Sequence, residues 1–184
     1  MLVTLRNAAD RLNALIARLS RYGTAVVERL TPVALDQVVE RVVGQFRNNH
    51  QVAVIAALPC LVAGREDLLE QVLVHLIQNG IDASPAESPV FIQIGCEQFH
   101  ALIEVLDSGS GMSAEFVRTG LFKPFVSTKP GGFGIGAYEA RELVRAMGGA
   151  LTVESREGLG SRFTIRLPLA KAAERPANIP AKVA

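Results

Sequence analysis

Asp107, Gly109 and Gly111, then Ser127, Thr128 and Lys129, then Gly132, Gly134, Ile135 and Gly136 are residue types that can hold a nucleotide between them. A carboxylate accepts hydrogen bonds and cannot donate them. Asp107 follows the apolar run Ala101 to Leu106, so at the end of a strand it can read an amino group such as that of adenine. Glycine lets a backbone approach a ligand and adopt positive φ. The second glycine cluster leads into a helical pattern, and a helix start offers free N–H groups and a positive dipole end to phosphate. One end of the stretch suits a base and the other suits phosphates, with a polar cover between them. Gly132-Phe133-Gly134-Ile135-Gly136 is not GxGxxG, and there is no GxxxxGK followed by Ser or Thr. The Rossmann and P-loop fingerprints are therefore both missing.

A third element lies upstream. The helical pattern from Asp67 carries Gln71, His75, Gln78, Asn79 and Asp82, with His75 and Asn79 one turn apart. An Asn oxygen is a hard ligand suited to Mg²⁺, which shares its shell with phosphates and water. Asn79 alone reads as a helix-interior Asn bonded to a neighbouring loop. Combined with Asp107 and the second glycine cluster, it reads as a metal ligand.

The elements that must position these residues follow from periodicity. The chain has 184 residues, 49% of them hydrophobic, which suggests one domain with appendages and a sizeable core. Its net charge of +1 gives no reason to expect a nucleic-acid partner. Cys60 and Cys96 form neither a zinc spacing nor a disulfide framework, and read as two small buried hydrophobes in a reducing compartment. No apolar run reaches the ~18 residues a membrane span needs, and no signal peptide is visible.

Residues 4 to 22 predict an amphipathic helix, either packed on its own domain or forming half of a helical hairpin or dimer bundle. Pro32 suits a helix start, with the helix continuing from Val33 to Phe46. Gln51 to Leu58 fits a buried strand. A helix follows from Gly64 to about Ala83, then strands at Val90 to Cys96 and Ala101 to Leu106. The cover leads to a helix over Gly134 to Met147 and strands at Ala150 to Ser155 and Ser161 to Leu167. The tail from Ala170 to Ala184 reads as frayed. The expected fold is α/β: a two-layer sandwich of a mixed, mostly antiparallel sheet with helices on one face. The expected divisions are 1–30, 31–169 and 170–184.

HLIQNGIDAS resembles the N box of the histidine-kinase ATP-binding domains. Asp107 to Met112 resembles their first glycine box, DxGxG. Leu121-Phe122-Lys123-Pro124-Phe125 resembles the phenylalanine box, and Gly132 to Gly136 the second glycine box. Gly148-Gly149, Glu154-Ser155, Gly158-Leu159-Gly160-Ser161 and FTIRLPL resemble the closing strands. Across roughly residues 32 to 169 the boxes appear in order, as in the Bergerat-type superfamily that includes gyrase, Hsp90 and MutL. The phenylalanine box points to kinases. FVSTKPGGFGIGAYEARELVRAMGG is similar to kinases of the PrsK type.

The resemblance implies an ATP- and Mg²⁺-binding protein-histidine kinase domain. Asn79 would coordinate Mg²⁺, with Asp82 beside it. Asp107 would bind the adenine amino group, with Gly109, Gly111 and Met112 shaping that end. Ser127, Thr128 and Lys129 would sit in the lid, Lys129 offering charge to the β and γ phosphates. Gly132, Gly134, Ile135 and Gly136 would bring N–H groups to the phosphates, and Thr164 would support the adenine carboxylate. Phe122 and Phe125 would pack the lid.

Two departures stand out. Where ATP-hydrolysing relatives place a Glu one turn before the Asn, this chain has His75, which argues against strong intrinsic hydrolysis and for transfer to a side chain. His75 is then either a helix-face residue packed beside the site or a weak metal ligand. The resemblance also calls for a phosphoacceptor His on a dimerising hairpin, and none of His50, His75 and His100 fits. Leu5 to Leu19 resembles the second helix of that hairpin. The expectation is the cytoplasmic catalytic part of a sensor kinase, with any membrane segment upstream, a response regulator as partner, and self-association through residues 1–22. Alone, it should bind ATP without phosphorylating itself. The alternatives are a Ser/Thr kinase of the anti-sigma-factor type and a nucleotide-binding interaction module without chemistry.

Overall fold

Leu35, Val38, Val39, Val42 and Val43 recur at helical spacing and form the buried stripe of helix α1 (Leu35–Phe46). The computed structural model describes residues 30–47, 50–129 and 132–170, and the architecture below concerns these. The expected helix over residues 4 to 22 and the expected tail fall outside them. A two-stranded ribbon joins β1 (Thr31–Ala34) to β3 (Leu61–Gly64), and β2 (Val52–Ala57) lies between them in the chain. Helix α2 (Glu66–Ala83) follows, then β4 (Val90–Cys96), β5 (His100–Asp107), α3 (Ala114–Thr119), α4 (Gly136–Ala146), β6 (Ala150–Arg156) and β7 (Gly160–Pro168).

The main sheet has five strands in the order β2-β4-β5-β7-β6. Its β2–β4 pair is parallel and its other pairs are antiparallel. The parallel pair needs a crossover, and β3 with α2 supplies it. Alternate residues of the central strands face inward: Val90, Ile92 and Ile94 on β4, Ala101, Ile103 and Val105 on β5, Phe163, Ile165 and Leu167 on β7. Helices α1, α2 and α4 turn their apolar residues onto that face to make one core. Burying each such Leu or Ile stabilises the fold by about 1.5–3 kcal/mol. The expected fold class, a mixed and mostly antiparallel sheet covered by helices, is the observed one.

Three local expectations are corrected, and one helix was not expected. Pro32 does not open a helix. It lies in β1, opposite Ala63, and α1 begins at Leu35, whose N–H is taken by the carbonyl of Cys60 at 3.0 Å. Pro is tolerated there because the ribbon has free edges. The run from Gln51 is an edge strand rather than a buried one, with Ile55 on its exposed side and a register shift between Val54 and Ala56. Short helix α3 had no periodic signal; Ser113 caps it by accepting from the Phe116 N–H at 3.2 Å. Cys60 and Cys96 are not a pair of buried free thiols. They form a disulfide with Cα atoms 6.9 Å apart, and Cys96 is exposed. Among the described residues, no helix is long and apolar enough to cross a membrane.

Candidate nucleotide site

Asp107 ends β5 and is held by the sheet itself. Its Oδ1 accepts the N–H of Gly109 at 2.9 Å and the N–H of Ser161 at 3.2 Å. Ser161 is the residue directly opposite on β7. Burial pushes the carboxyl above its ordinary value, opposed by the bonds from Gly109 and Ser161 and by the charge of Lys129. Behind it stands Gly80 of α2, where a side chain would place its Cβ 3.3 Å from the Cβ of Asp107. A glycine there lets strand and helix close up, so the carboxylate sits beside the turn that carries Asn79.

Gly111 takes a left-handed φ of 63°, and the next residue, Met112, donates its N–H to Ser155 Oγ at 2.9 Å. Ser155 Oγ in turn lies 3.0 Å from Ser161 Oγ. The loop after Asp107 is thereby tied to the β6–β7 hairpin. The structure does not bring Thr164 to this end. Thr164 pairs with Glu104, further along β7, and the support expected of it comes from Ser161. The Gly-x-Gly-Ser sequence at Gly158 to Ser161 was the available signal, since it puts a hydroxyl directly after the turn.

The phosphate end combines two helices and the cover. Lys129 Nζ lies 3.1 Å from the carbonyl oxygen of Asn79, 3.5 Å from its Oδ1 and 3.3 Å from Asp82 Oδ2. Gln78 orients Asp82 by donating to its Oδ1 at 2.7 Å. Helix α4 starts at Gly136, with Ile135 before it. A Cβ on Gly136 would sit 3.6 Å from His75 Nδ1 and 3.7 Å from Asn79 Nδ2. The free N–H groups of the first turn of α4 therefore adjoin Asn79 and His75.

Gly134 has a φ of 64° and lies so close to the backbone of Val126 that no side chain fits. Its carbonyl accepts the Phe125 N–H at 3.0 Å. Ser127 Oγ accepts from the Lys129 N–H at 3.1 Å, the Gly132 N–H reaches the Lys129 carbonyl at 3.1 Å, and Thr128 is exposed. Phe122, expected to pack the lid, packs against the core: it is partly buried there, and the Arg141 guanidinium lies 4.8 Å from its ring centre. Phe125 does not. It is 57% exposed, with a φ of 66°.

Two residues that the sequence reading passed over complete the site. Glu139, in the first turn of α4, is buried at 2% exposure. Its Oε1 accepts from Gln71 Nε2 at 2.8 Å, and its Oε2 lies 2.9 Å from His75 Nε2. Gln71 was named only as a member of the helix. An acidic residue just after a glycine-led helix start was the signal for Glu139.

Asn79 Oδ1 and Asp82 Oδ2 are hard oxygen donors already gathered around one cationic group, the Lys129 ammonium. No cluster of three or more His, Cys, Asp or Glu side chains able to hold a metal occurs among the described residues. Such a donor set fits Mg²⁺, which takes one or two protein oxygens and completes its shell with phosphates and water.

A family profile described as "Histidine kinase-, DNA gyrase B-, and HSP90-like ATPase" matches residues 64–171. Sporulation kinase C of Bacillus subtilis is 39% identical over 110 residues, which cover 60% of this chain and 26% of that kinase. This chain thus spans about a quarter of the relative's length. A solved structure of full-length ShkA in complex with AMPPNP aligns with a TM-score of 0.72 at 25% identity, over 93% of this chain and 38% of that one. The mycobacterial sensor histidine kinase MprB shares the fold, with a TM-score of 0.68 at 24% identity over 76% of this chain and 97% of that one.

Proposed function

The chain belongs to the histidine kinase-, DNA gyrase B- and HSP90-like ATPase family, and from that premise we propose that it is the ATP- and Mg²⁺-binding catalytic portion of a sensor histidine kinase. It delivers the γ-phosphoryl group of ATP to a histidine imidazole supplied from outside the residues described. The observation that carries this reading is the convergence of Asp107, Asn79, Lys129 and the start of α4 on one side of α2. The similarity to sporulation kinase C and to AMPPNP-bound ShkA supports it.

In this reading Asp107 accepts from the adenine amino group, and its bonds to Gly109 and Ser161 fix the carboxylate's direction. The first-turn N–H groups of α4 and the Lys129 ammonium hold the phosphates. Asn79, with Asp82, holds Mg²⁺, which when bound neutralises phosphate charge. Phosphoryl transfer asks little covalent chemistry of the protein, so positioning and cation stabilisation carry the catalysis. His75 lies in the site and His100 opens β5, so neither is placed as the phosphoacceptor. A response regulator is the expected receiver of the phosphoryl group. Self-association through residues 1–22 and attachment to a membrane through a further segment belong to the same proposal.

Calorimetry with Mg·ADP on the wild type, Asn79→Ala and Asp107→Ala tests the reading. Micromolar-range binding is expected, lost in Asp107→Ala and insensitive to the metal in Asn79→Ala. A well-folded wild type that binds no nucleotide would overturn it.

A further inference from the structure

Cys60 and Cys96 lie 36 residues apart in sequence and are bonded to each other. Cys96 ends β4, and Cys60 stands between the edge strand β2 and the ribbon strand β3. The Cys60 carbonyl accepts the N–H of Leu35, the first residue of α1, at 3.0 Å. Two residues before Cys60, the Leu58 N–H reaches the Ile94 carbonyl of β4 at 3.3 Å. The disulfide therefore pins to the main sheet the short connection on which the start of α1 rests. Strand β1, which brings the chain in from residues 1–29, runs directly into that start.

The two sulfurs meet different surroundings. Cys96 is exposed, whereas Cys60 is 6% exposed. Disulfide exchange is attack of a thiolate on one of the two sulfurs, and access decides which. A small thiol reaches Cys96 and not Cys60. Cys60 Sγ also lies 3.9 Å from the Gly95 carbonyl oxygen. A thiol freed there by reduction has an acceptor in place, and a thiol on Cys96 has water. Neither redox state leaves a buried polar group without a partner, so the pair can open and close within the folded protein. A core built from three helices on a five-stranded sheet does not depend on a staple in the way a small disulfide-dense domain does.

We propose that Cys60 and Cys96 form a reversible thiol-exchange site, opened by low-molecular-weight thiols through Cys96, whose state sets how firmly the entry of the chain into α1 is held. In the step, the thiolate of a small thiol bonds to Cys96 Sγ. The bond between Cys96 and Cys60 breaks, and its electron pair leaves on Cys60 Sγ, which takes a proton. A second small thiolate then attacks the sulfur of the first and frees Cys96 as a thiolate. The protein disulfide is reduced, and two small thiols are oxidised to their own disulfide. The site lies away from the nucleotide end: Cys96 pairs with Ala101 near the start of β5, and Asp107 ends that strand. The proposal stands independently of the nucleotide reading.

The test uses the whole folded chain in buffers of reduced and oxidised glutathione, without denaturant. Alkylation followed by mass spectrometry should show the bond opening in reduced glutathione and closing again in oxidised glutathione. Cys60→Ser should take up glutathione on Cys96. In Cys96→Ser, Cys60 should react about tenfold more slowly or less, because the core covers it. Amide hydrogen exchange at Leu35 and Leu58 should rise about tenfold or more on reduction, while that at Ser161 stays the same. A bond that glutathione opens only in denaturant overturns the proposal and makes the pair a structural staple. Cysteines that stay reduced in excess oxidised glutathione overturn it as well. So do equal reactivity of the two cysteines in the two variants, unchanged exchange at Leu35 and Leu58, and an equal rise at Ser161, which would mark a general loosening.

Discussion

Lys129 Nζ stands 3.1 Å from the backbone oxygen of Asn79 and 3.5 Å from its side-chain oxygen. The cover over the site thus touches the α2 turn that carries the proposed metal ligand. Lys129→Met removes that charge from beside the phosphates and leaves the adenine end intact. A charge-assisted hydrogen bond is worth about 1.5–3 kcal/mol, so Mg·ATP affinity should fall by roughly 10- to 100-fold. Adenosine affinity should not change. Paired titrations by calorimetry check this, and an equal loss for both ligands would contradict it.

Asp107→Asn separates recognition from stability. The Asn oxygen can still accept from Gly109 and Ser161, but the new amide group donates where adenine also donates. Nucleotide affinity should drop about tenfold or more. The folded protein should meanwhile become more heat-stable at neutral pH, because burial raises the Asp107 pKa. The sign follows from linkage: above the ordinary value of 3.8 the folded state holds this proton longer than the unfolded chain, so stability falls as pH rises through that window. The Tm advantage of Asp107→Asn should therefore grow as pH rises from 3.8 through the raised value and then level off. Asp67 runs the other way. Its hydrogen bond from Arg65 lowers its pKa, so its small contribution is present above 3.8 and lost as pH falls through the lowered value. A Tm difference that shrinks with rising pH would refute the assignment for Asp107.

Ser161 and Thr164 offer a sharper contrast, since both are hydroxyl residues on β7. Ser161→Ala keeps the backbone N–H bond to Asp107 but removes the hydroxyl that meets Ser155 and hydrogen-bonds to Asp107, and should weaken nucleotide binding by about 1 kcal/mol, roughly fivefold. Thr164→Val should leave the affinity unchanged, because Thr164 is paired with Glu104. The reverse ranking in a binding assay would restore Thr164 to the site.

The Cys60–Cys96 disulfide closes a loop between residues 36 apart in sequence. Replacing Cys96 by Ser should cost about 2–4 kcal/mol of stability. Denaturant unfolding of the wild type with and without reductant measures the same quantity, and coincident curves would mean that the bond does not constrain the unfolded chain.

Helices α1, α2 and α4 were legible because their signal is local: apolar residues repeat at helical spacing within each segment. The boxes around Asn79, Asp107 and Gly134 were legible because each is a short run of distinctive residues. What escaped depends on partners distant in sequence. Pro32 fits a helix start locally, and only pairing with Leu61–Gly64 makes it part of a strand. Thr164 was named and Ser161 was not, because which residue faces Asp107 depends on the register of β5 against β7. A Glu beside His75 was missed because it does not come from α2. Glu139 reaches His75 from the first turn of another helix.

The bond from Ser161 to Asp107 joins the site to the order in which the chain is made. Ser161 lies in β7, the last strand along the chain among the described residues, and it meets Asp107 only in the correct register. A shift by one residue would turn the wrong face of β7 inward and put a different backbone group opposite the carboxylate. A nascent chain that stops short of β7 cannot hold Asp107 in place, whatever else has folded. Nucleotide capture by this protein then waits on β7, and a ribosome-bound chain should take up a fluorescent ATP analogue only after residues 160–168 have cleared the exit tunnel.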